Sequence, residues 1–170
     1  MSEHDTLQDA QLDKYVTFKS GSEFFGLKIE YVNEIIVFQE ITEVPECEDY
    51  VKGLINLRGK IIPVIDVRLR FKHEPFEYND RTCIIVINVR STVVGLIVEQ
   101  IAEVVEIPET EILPSPSLTH GDKQQNKYVY GIGKVGGRVK LLLDPERLIN
   151  DEDLSAIERT EDESIEEEGE

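Results

Sequence analysis

The segment Gly131–Gly136 has the spacing in this chain that is most familiar from cofactor chemistry. It reads G-x-G-x-x-G, which binds a dinucleotide when it opens a helix whose N-terminus receives the pyrophosphate. The residues that follow, from Arg138 to Leu143, are rich in Val and Leu and favour a strand instead. We therefore predict a glycine-rich hairpin here, and no cofactor.

Two aspartates are the next candidates for chemistry, because each follows an apolar stretch. Asp66 and Asp144 would suit general acid and base work if they formed a pair. Both occur in the same strand-end context, however, and aspartate in that position commonly caps a helix or forms a turn. We favour the capping interpretation over the catalytic one.

The remaining reactive side chains form no recognisable constellation. Cys47 and Cys83 are far apart and lack a C-x-x-C pattern, so neither a disulfide framework nor a zinc site is indicated. The histidines lie in polar, loop-like sequence: His4, His73 and His120. The sequence therefore predicts no catalytic residue, no metal site and no enzymatic activity.

Arg58 stands at the tip of a predicted hairpin, where Asn56 and Gly59 supply turn chemistry. The return strand Ile61–Ile65 is apolar, and its Pro63 predicts an edge strand or a bulge because proline lacks the N–H of a central strand. An arginine at such a turn is either a solvated loop charge or an anchor in a protein interface, since its guanidinium binds acids and stacks on flat groups.

An internal repeat organises the elements that hold these residues. Gly26, Leu27 and Glu30 recur as Gly95, Leu96 and Glu99, at an offset of 69 positions. Farther along, the offset becomes 78, as the following pairs show: Gly53 and Gly131, Gly59 and Gly137, Asp66 and Asp144. The extra residues fall in the Pro-containing and Gly-containing stretch 108–126, which predicts a longer loop in the second copy.

The repeat units, about residues 15–68 and 84–147, contain short runs rich in Val, Ile, Tyr and Phe between turn residues, which predicts an all-β fold of two similar small barrels. One segment is ambiguous: Ile29, Val32, Ile35 and Ile36 follow helical spacing.

Length and charge exclude several classes of protein. The chain has 170 residues and a formal charge of −17, so nucleic acid is a poor partner, and its apolar runs are too short to cross a bilayer. The polar, acidic residues 1–13 resemble no signal peptide, so we expect a flexible N-terminus and a cytoplasmic protein.

The acidic tail, residues 151–170, carries 11 acids and one base, so most of the excess charge lies there. We expect a short helical turn after Asp151 and disorder from about residue 160. The tail is interpreted as a solubilising segment, with an acidic docking peptide as the alternative.

The motif Gly53–Gly59, followed by Ile62–Arg68, resembles the CheW family, the adaptors that join bacterial chemoreceptors to the histidine kinase CheA. Further matching stretches are Phe25–Leu27, Val32–Ile35, Val93–Val98, Ile112–Pro116 and Tyr130–Gly133. The resemblance covers about residues 15–149 and implies a CheW-like domain over 14–150, with two five-stranded SH3-like β-barrels around a shared hydrophobic core. It also assigns the segment around Val32 to a strand.

The resemblance implies an adaptor without enzymatic activity, recruited to membrane receptor arrays. Val32, Glu34, Ile35 and Arg58 would line or brace the groove for the receptor's hairpin tip, with Glu34 and Arg58 paired across it. Residues at the end of the first barrel and after the Pro114–Pro116 element would contact the regulatory domain of the kinase: Ile41, Val44, Pro45 and Leu118. The alternative is a small β-barrel that binds a ligand.

Overall fold

The computed structural model describes residues 13–115 and 127–149, and in these residues the chain forms eleven strands and two short α-helices. The strands are β1 (Lys14–Ser20), β2 (Glu23–Lys28), β3 (Val32–Val37), β4 (Val51–Leu57), β5 (Lys60–Asp66), β6 (Cys83–Val89), β7 (Thr92–Val98), β8 (Gln100–Glu106), β9 (Leu113–Pro114), β10 (Val129–Val135) and β11 (Arg138–Leu143). The helices are α1 (Val67–Arg70) and α2 (Pro145–Leu148). The predictions of a flexible N-terminus, of a kinase contact at Leu118, of a helical turn after Asp151 and of a disordered acidic tail concern residues outside the described ones.

The strands form two sheets, which confirms the all-β prediction of two SH3-like barrels. The six-stranded barrel has the order β8-β1-β2-β11-β10-β9, and the five-stranded barrel has the order β3-β6-β7-β5-β4. Each barrel takes its first hairpin, β1–β2 or β6–β7, from one copy of the repeat and its other strands from the other copy. The parallel pairings β2–β11 and β5–β7 join the two contributions.

The hydrophobic core has a shared part and two local parts. β6 is buried on both faces, so that Ile85 and Ile87 face the shared cluster while Ile84 and Val86 fill the five-stranded barrel. The shared cluster also includes Phe18, Phe25, Leu27, Phe71, Leu96, Leu143 and Leu148. Burial of this central cluster couples the folding of the two barrels, because unfolding of one barrel would expose apolar side chains of the other to water.

A crossing segment closes the five-stranded barrel between β3 and β4. The main chains of Thr42 and Leu54 exchange two hydrogen bonds of 2.9 Å. This close approach requires glycine at position 53, where φ is +143° and an added Cβ would stand 2.0 Å from the Thr42 carbonyl oxygen.

Several local predictions are confirmed. Asp66 accepts a hydrogen bond from the Leu69 N–H at the start of α1, and Asp144 accepts one from the Glu146 N–H at the start of α2. The glycine-rich segment 131–136 runs along β10 into the hairpin with β11, with the turn at positions 136 and 137. The ambiguous segment is a single 3₁₀ turn, Ile29–Tyr31, followed by strand β3.

Pro63 was predicted to mark an edge strand or a bulge, and the edge-strand alternative is wrong. Strand β5 lies between β4 and β7, so it is an interior strand. Its pairing with β7 begins one residue later, at Val64, and the neighbouring β4 has a bulge between Val51 and Gly53. Proline is accommodated because the ladder is incomplete on one side at this position.

Candidate protein-binding surfaces

Glu34 and Arg58 form an ion pair on the surface of the five-stranded barrel. The Arg58 guanidinium donates from Nη2 to Oε1 of Glu34, which joins strand β3 to the β4–β5 turn. The turn is tight: Arg58 has φ +52°, and the Gly59 N–H donates to Oδ1 of Asn56 at 2.8 Å. The pairing implied by the family resemblance is therefore present. The Arg58 side chain is 72% exposed, which leaves its remaining N–H donors available to a partner.

Strand β3 presents apolar side chains on two faces. Ile36 packs against the core of the five-stranded barrel, whereas Ile35 and Val37 face solvent, with Val37 75% exposed. Val32, at the start of the strand, is partly buried against the shared core. Of the four residues predicted for the receptor groove, the structure thus brings Glu34 and Arg58 into contact, exposes Ile35 and uses Val32 partly for packing.

The residues predicted for the kinase contact lie on the crossing segment between β3 and β4. Ile41 packs against the core of the five-stranded barrel, and Pro45 is exposed. The Val44 side chain, between them in sequence, is partly buried. The segment is tied to the hairpin by Gln39, whose Nε2 donates to the Asn56 carbonyl at 3.2 Å. Ile41 therefore has a structural role, and Val44 and Pro45 offer the accessible surface.

Sequence reasoning missed three exposed apolar residues, Ile61, Val104 and Val139, which together with the predicted Ile35 obey the repeat. Ile35 and Val104 differ by 69 positions, and Ile61 and Val139 differ by 78, so the same strand positions are exposed in both barrels. The repeat offsets contained the signal, because β-strand alternation at matched positions places both members outward. Each barrel consequently exposes apolar side chains at equivalent strand positions.

Hydrogen bonds of Arg68 and Glu99, which we call the polar joint, connect the two barrels with the linker between the repeat copies, residues 71–82. Arg68 donates from Nη1 to Glu99 at 2.5 Å, and the other carboxylate oxygen of Glu99 accepts from the Gly21 N–H. Arg68 also donates from Nε to the carbonyl of Glu74 in the linker. This joint connects α1, the β1–β2 turn and the β7–β8 junction, so it links the two barrels through polar contacts.

Two tyrosine hydroxyls near the helix caps have perturbed acidity. Burial, followed by the hydrogen bond to Asp66 and the negative charge of that residue, raises the pKa of Tyr78. Burial also raises the pKa of Tyr130, with further contributions from its hydrogen bond with Tyr15 and from the charge of Asp144. Both hydroxyls consequently stay protonated and act as structural donors or acceptors at neutral pH.

Within residues 13–115 and 127–149, the structure brings no three His, Cys, Asp or Glu side chains together in an arrangement that would hold a metal ion. The same described part of the chain contains no helix that is long and apolar enough to span a membrane.

Comparison with known proteins relates the whole described fold to one family. The family model described as a CheW-like domain matches residues 14–153. Chemotaxis protein CheW of Klebsiella aerogenes is 31% identical over 145 residues, which is 85% of this chain and 86% of that protein. Chemotaxis protein CheW of Bacillus subtilis is 36% identical over 110 residues, covering 65% and 70% of the two chains.

A solved structure agrees with these sequence matches. The scaffolding protein TtCheW from Thermoanaerobacter tengcongensis superposes with a TM-score of 0.75 at 34% identity, over 83% of this chain and 94% of that one. The two-barrel architecture, the family model and relatives above 30% identity over most of both chains agree: this chain belongs to the CheW family.

Proposed function

We propose that this protein is a non-enzymatic adaptor that couples chemoreceptors, the methyl-accepting chemotaxis proteins, to the histidine kinase CheA. The observation that carries the proposal is the exposed Arg58 guanidinium paired with Glu34 on strand β3, whose next residue, Ile35, is also exposed, on a body whose two barrels share one core. An arginine fork with an apolar neighbour suits the recognition of a helical hairpin tip that carries both polar and apolar side chains.

In this proposal the receptor binds at Val32, Glu34, Ile35 and Arg58, and the kinase regulatory domain binds at Ile41, Val44, Pro45 and Leu118. Ile41 would act mainly by shaping the surface, since it packs inward, whereas Val44 and Pro45 would make the contact. The receptor residues lie on β3 and in the β4–β5 turn, whereas Ile41, Val44 and Pro45 lie on the crossing segment between β3 and β4. A single molecule can then hold both partners at once.

An adaptor of this kind needs rigidity and no bond chemistry. Holding receptor and kinase together raises their effective concentration for each other, and small contacts of modest affinity cooperate in an array. A rigid connection also allows a change in the receptor to alter the kinase through geometry. The protein would work in the cytoplasm and be recruited to membrane receptor arrays.

The proposal is tested by measuring binding to two purified partners, the regulatory domain of CheA and a cytoplasmic receptor fragment. We expect Val44→Asp to weaken kinase binding and leave receptor binding unchanged, and Arg58→Glu to do the reverse. Failure of the natural protein to bind either partner would overturn the proposal. Loss of both interactions in both variants, with folding intact, would contradict the assignment of two separate sites.

A further inference from the structure

The interior of the six-stranded barrel is polar at positions where the interior of the five-stranded barrel is apolar. Six buried residues form the local core of the five-stranded barrel: Ile55, Ile62, Val64, Ile84, Val86 and Ile97. At the repeat offsets of 78 and 69 positions, their counterparts in the six-stranded barrel are, in the same order, Gly133, Lys140, Leu142, Tyr15, Thr17 and Lys28. Only Leu142 keeps an aliphatic side chain. Because the five-stranded barrel packs with aliphatic side chains at all six positions, the polar residues need another physical reason.

Thr17 and Lys140 are accounted for by contacts with strand β8. The Thr17 hydroxyl donates to the Glu103 carbonyl at 2.7 Å and accepts from the Glu103 N–H at 3.1 Å. The Lys140 ammonium lies over the Phe24 ring, 4.1 Å from its centroid, and 3.9 Å from the Glu103 carboxylate. These two polar side chains therefore have structural partners within the barrel.

Tyr15 and Lys28 instead line a cavity of about 510 Å³. They are register partners on β1 and β2, and Tyr130 of β10 lines the same cavity. Their counterparts Ile84 and Ile97 are fully buried in the packed core of the five-stranded barrel. Cavities of roughly 300 to 1,000 Å³ are typical of small-molecule sites. The six-stranded barrel thus has space and polar groups where the other barrel has packed side chains.

The tyrosine pair supplies this cavity with a hydrogen-bond donor. The hydroxyl oxygens of Tyr15 and Tyr130 are 2.8 Å apart. Only one proton can lie between them, so the hydroxyl that accepts keeps its own O–H for a further acceptor. Among the described residues, neither hydroxyl has a second hydrogen-bond partner. A ligand oxygen in the cavity would satisfy this donor.

The Lys28 ammonium adds a positive charge beside the tyrosine pair. Its Nζ is 5.8 Å from the centroid of the Tyr130 ring and 3.9 Å from the Glu30 carboxylate, which is too far for a hydrogen bond to that acid. An ammonium has three N–H donors. Together, the ammonium and the remaining hydroxyl donor suit a carboxylate, which accepts several hydrogen bonds.

Two acids line the same cavity and give it charges of both signs. Asp13 lies two residues before Tyr15, and Glu109 begins the 3₁₀ turn Glu109–Glu111. Two carboxylates against one ammonium disfavour a ligand that is only an anion, and they offer acceptors to a cationic group. The ligand that matches both signs carries a carboxylate and an ammonium.

The remaining wall of the cavity is apolar and consists of Ile112, Leu113 and Pro114. Ile112 packs against the local core that includes Tyr15, whereas Leu113 is 59% exposed. An apolar group of the ligand would cover Leu113, and burial of apolar surface would contribute to binding.

We propose that this cavity binds a small zwitterion with an apolar side chain, the chemistry of an apolar α-amino acid or a dipeptide. Its carboxylate accepts from Lys28 and from the tyrosine pair, and its ammonium donates to Asp13 or Glu109. Its side chain packs on Leu113. The site belongs to the six-stranded barrel, whereas the Glu34–Arg58 pair belongs to the five-stranded barrel, so the inference does not rest on the adaptor function.

The test titrates leucine and leucyl-leucine into the full chain and follows the amide chemical shifts by NMR. We expect saturable shifts at Tyr15, Lys28, Leu113 and Tyr130 at millimolar concentrations of ligand. Isocaproate lacks the ammonium of leucine, and isoamylamine lacks its carboxylate. Each should bind at least about tenfold more weakly than leucine, because one charged contact is lost. The dissociation constants of leucine and leucyl-leucine show which of the two fits the cavity better.

Lys28→Met removes the ammonium and keeps the aliphatic stem. It should weaken leucine binding about tenfold and leave isoamylamine binding unchanged, because this amine has no carboxylate for Lys28 to contact. A purely structural role of Lys28 would change the binding of both ligands. Lys134→Met is the matched control, since it removes the same charge from an exposed position of β10. It should leave the binding of both ligands unchanged.

Absence of saturable binding by both leucine and leucyl-leucine would overturn the proposal. So would equal affinity for leucine and isocaproate, because the site would then recognise a plain carboxylate, and so would shifts confined to residues outside the cavity. Equal weakening of leucine and isoamylamine by Lys28→Met would contradict the contact between Lys28 and the carboxylate. These measurements involve neither kinase nor receptor, so their failure is distinguishable from a failure of the adaptor function.

Discussion

Arg70 donates a hydrogen bond of 2.8 Å from Nε to the main-chain carbonyl of Leu148, the residue that holds the same position in the second repeat copy. Its guanidinium also lies over the rings of Tyr50 and Tyr128, at 4.4 and 5.0 Å, and these tyrosines are themselves repeat counterparts. Arg70 thus sits where the two copies meet, and a single side chain stabilises both.

Replacement of Arg70 by Met should lower the free energy of unfolding by about 2 kcal/mol, because it removes two cation–π contacts and leaves the Leu148 carbonyl without this donor. Arg70→Lys should recover only part of the loss, since an ammonium lacks the flat fork that stacks between two rings. Urea unfolding followed by circular dichroism measures both. Full recovery in Arg70→Lys would contradict the stacking account.

Gly53→Ala should be the most damaging small substitution in the five-stranded barrel. The new Cβ would meet the Thr42 carbonyl at 2.0 Å, in a backbone conformation with φ +143°. We expect a loss of about 3 kcal/mol or more in the free energy of unfolding.

Gly136→Ala is the comparison for Gly53→Ala, because Gly136 has φ +59°, in the left-handed region, and open space around it. It should cost only about 1 kcal/mol, the price of a left-handed backbone conformation. Thermal unfolding compares the two variants. Similar losses would contradict the account that the close approach of Thr42 requires glycine at position 53.

Stability should fall steeply at high pH because of Tyr78. Its pKa is raised in the folded protein, first by burial and then by Asp66, whereas in the unfolded chain it ionises near its usual value of about 10. Below that pH both states keep the proton and the contribution is complete. Above it the unfolded state releases the proton, so the free energy of unfolding decreases by up to about 1.4 kcal/mol per pH unit for this group.

The Tyr78→Phe variant should start from a lower stability, since Asp66 loses a hydrogen-bond donor, and then decline less steeply above a pH of about 10. Urea unfolding at several pH values between about 8 and about 11 gives the slopes. An identical slope in the variant and the natural protein would contradict the role of Tyr78. Tyr130 contributes in the same direction and keeps the remaining slope above zero.

Arg58→Glu should reduce receptor binding without unfolding the protein. The Arg58 side chain is 72% exposed, so loss of its pair with Glu34 should change the free energy of unfolding by less than about 1 kcal/mol. The dissociation constant for a receptor fragment should rise at least about tenfold, because a charge in the contact is reversed. Titration calorimetry measures this change.

Two further variants serve as controls for Arg58→Glu. Arg81→Glu changes the charge equally at another exposed turn residue and should leave receptor binding unchanged. The exchange Glu34→Arg with Arg58→Glu rebuilds the pair in reverse, so it should restore folding stability more than receptor binding. A large loss of thermal stability in Arg58→Glu alone would mean that Arg58 is mainly structural.

The repeat made much of this fold predictable from sequence. The offset of 78 positions alone paired Asp66 with Asp144, and the shared strand-end context led to the capping role that both residues have. The glycine-rich segment 131–136 was recognised as a hairpin because the residues after it favour a strand. Such features depend on local chemistry, which a short stretch of sequence contains.

Strand partnership was harder to predict, because it depends on contacts between distant residues. The exchange of hairpins between barrels rests on the parallel pairing of β2 with β11 and of β5 with β7, which periodicity cannot specify. For the same reason the sequence predicted an edge strand or a bulge at Pro63 and did not place it in an interior strand. The Glu34–Arg58 pair was anticipated only through the family resemblance, since the two residues are separated in sequence and neither one alone predicts the other.

The most direct test of the adaptor account measures CheA autophosphorylation with membrane-embedded receptors, in the presence and absence of this protein. The account predicts that receptor ligands control the kinase only when the natural protein is present. It also predicts that Arg58→Glu binds the kinase but fails to restore this control. Receptor control of CheA that is equally strong without the protein, or fully retained with Arg58→Glu, would contradict the account.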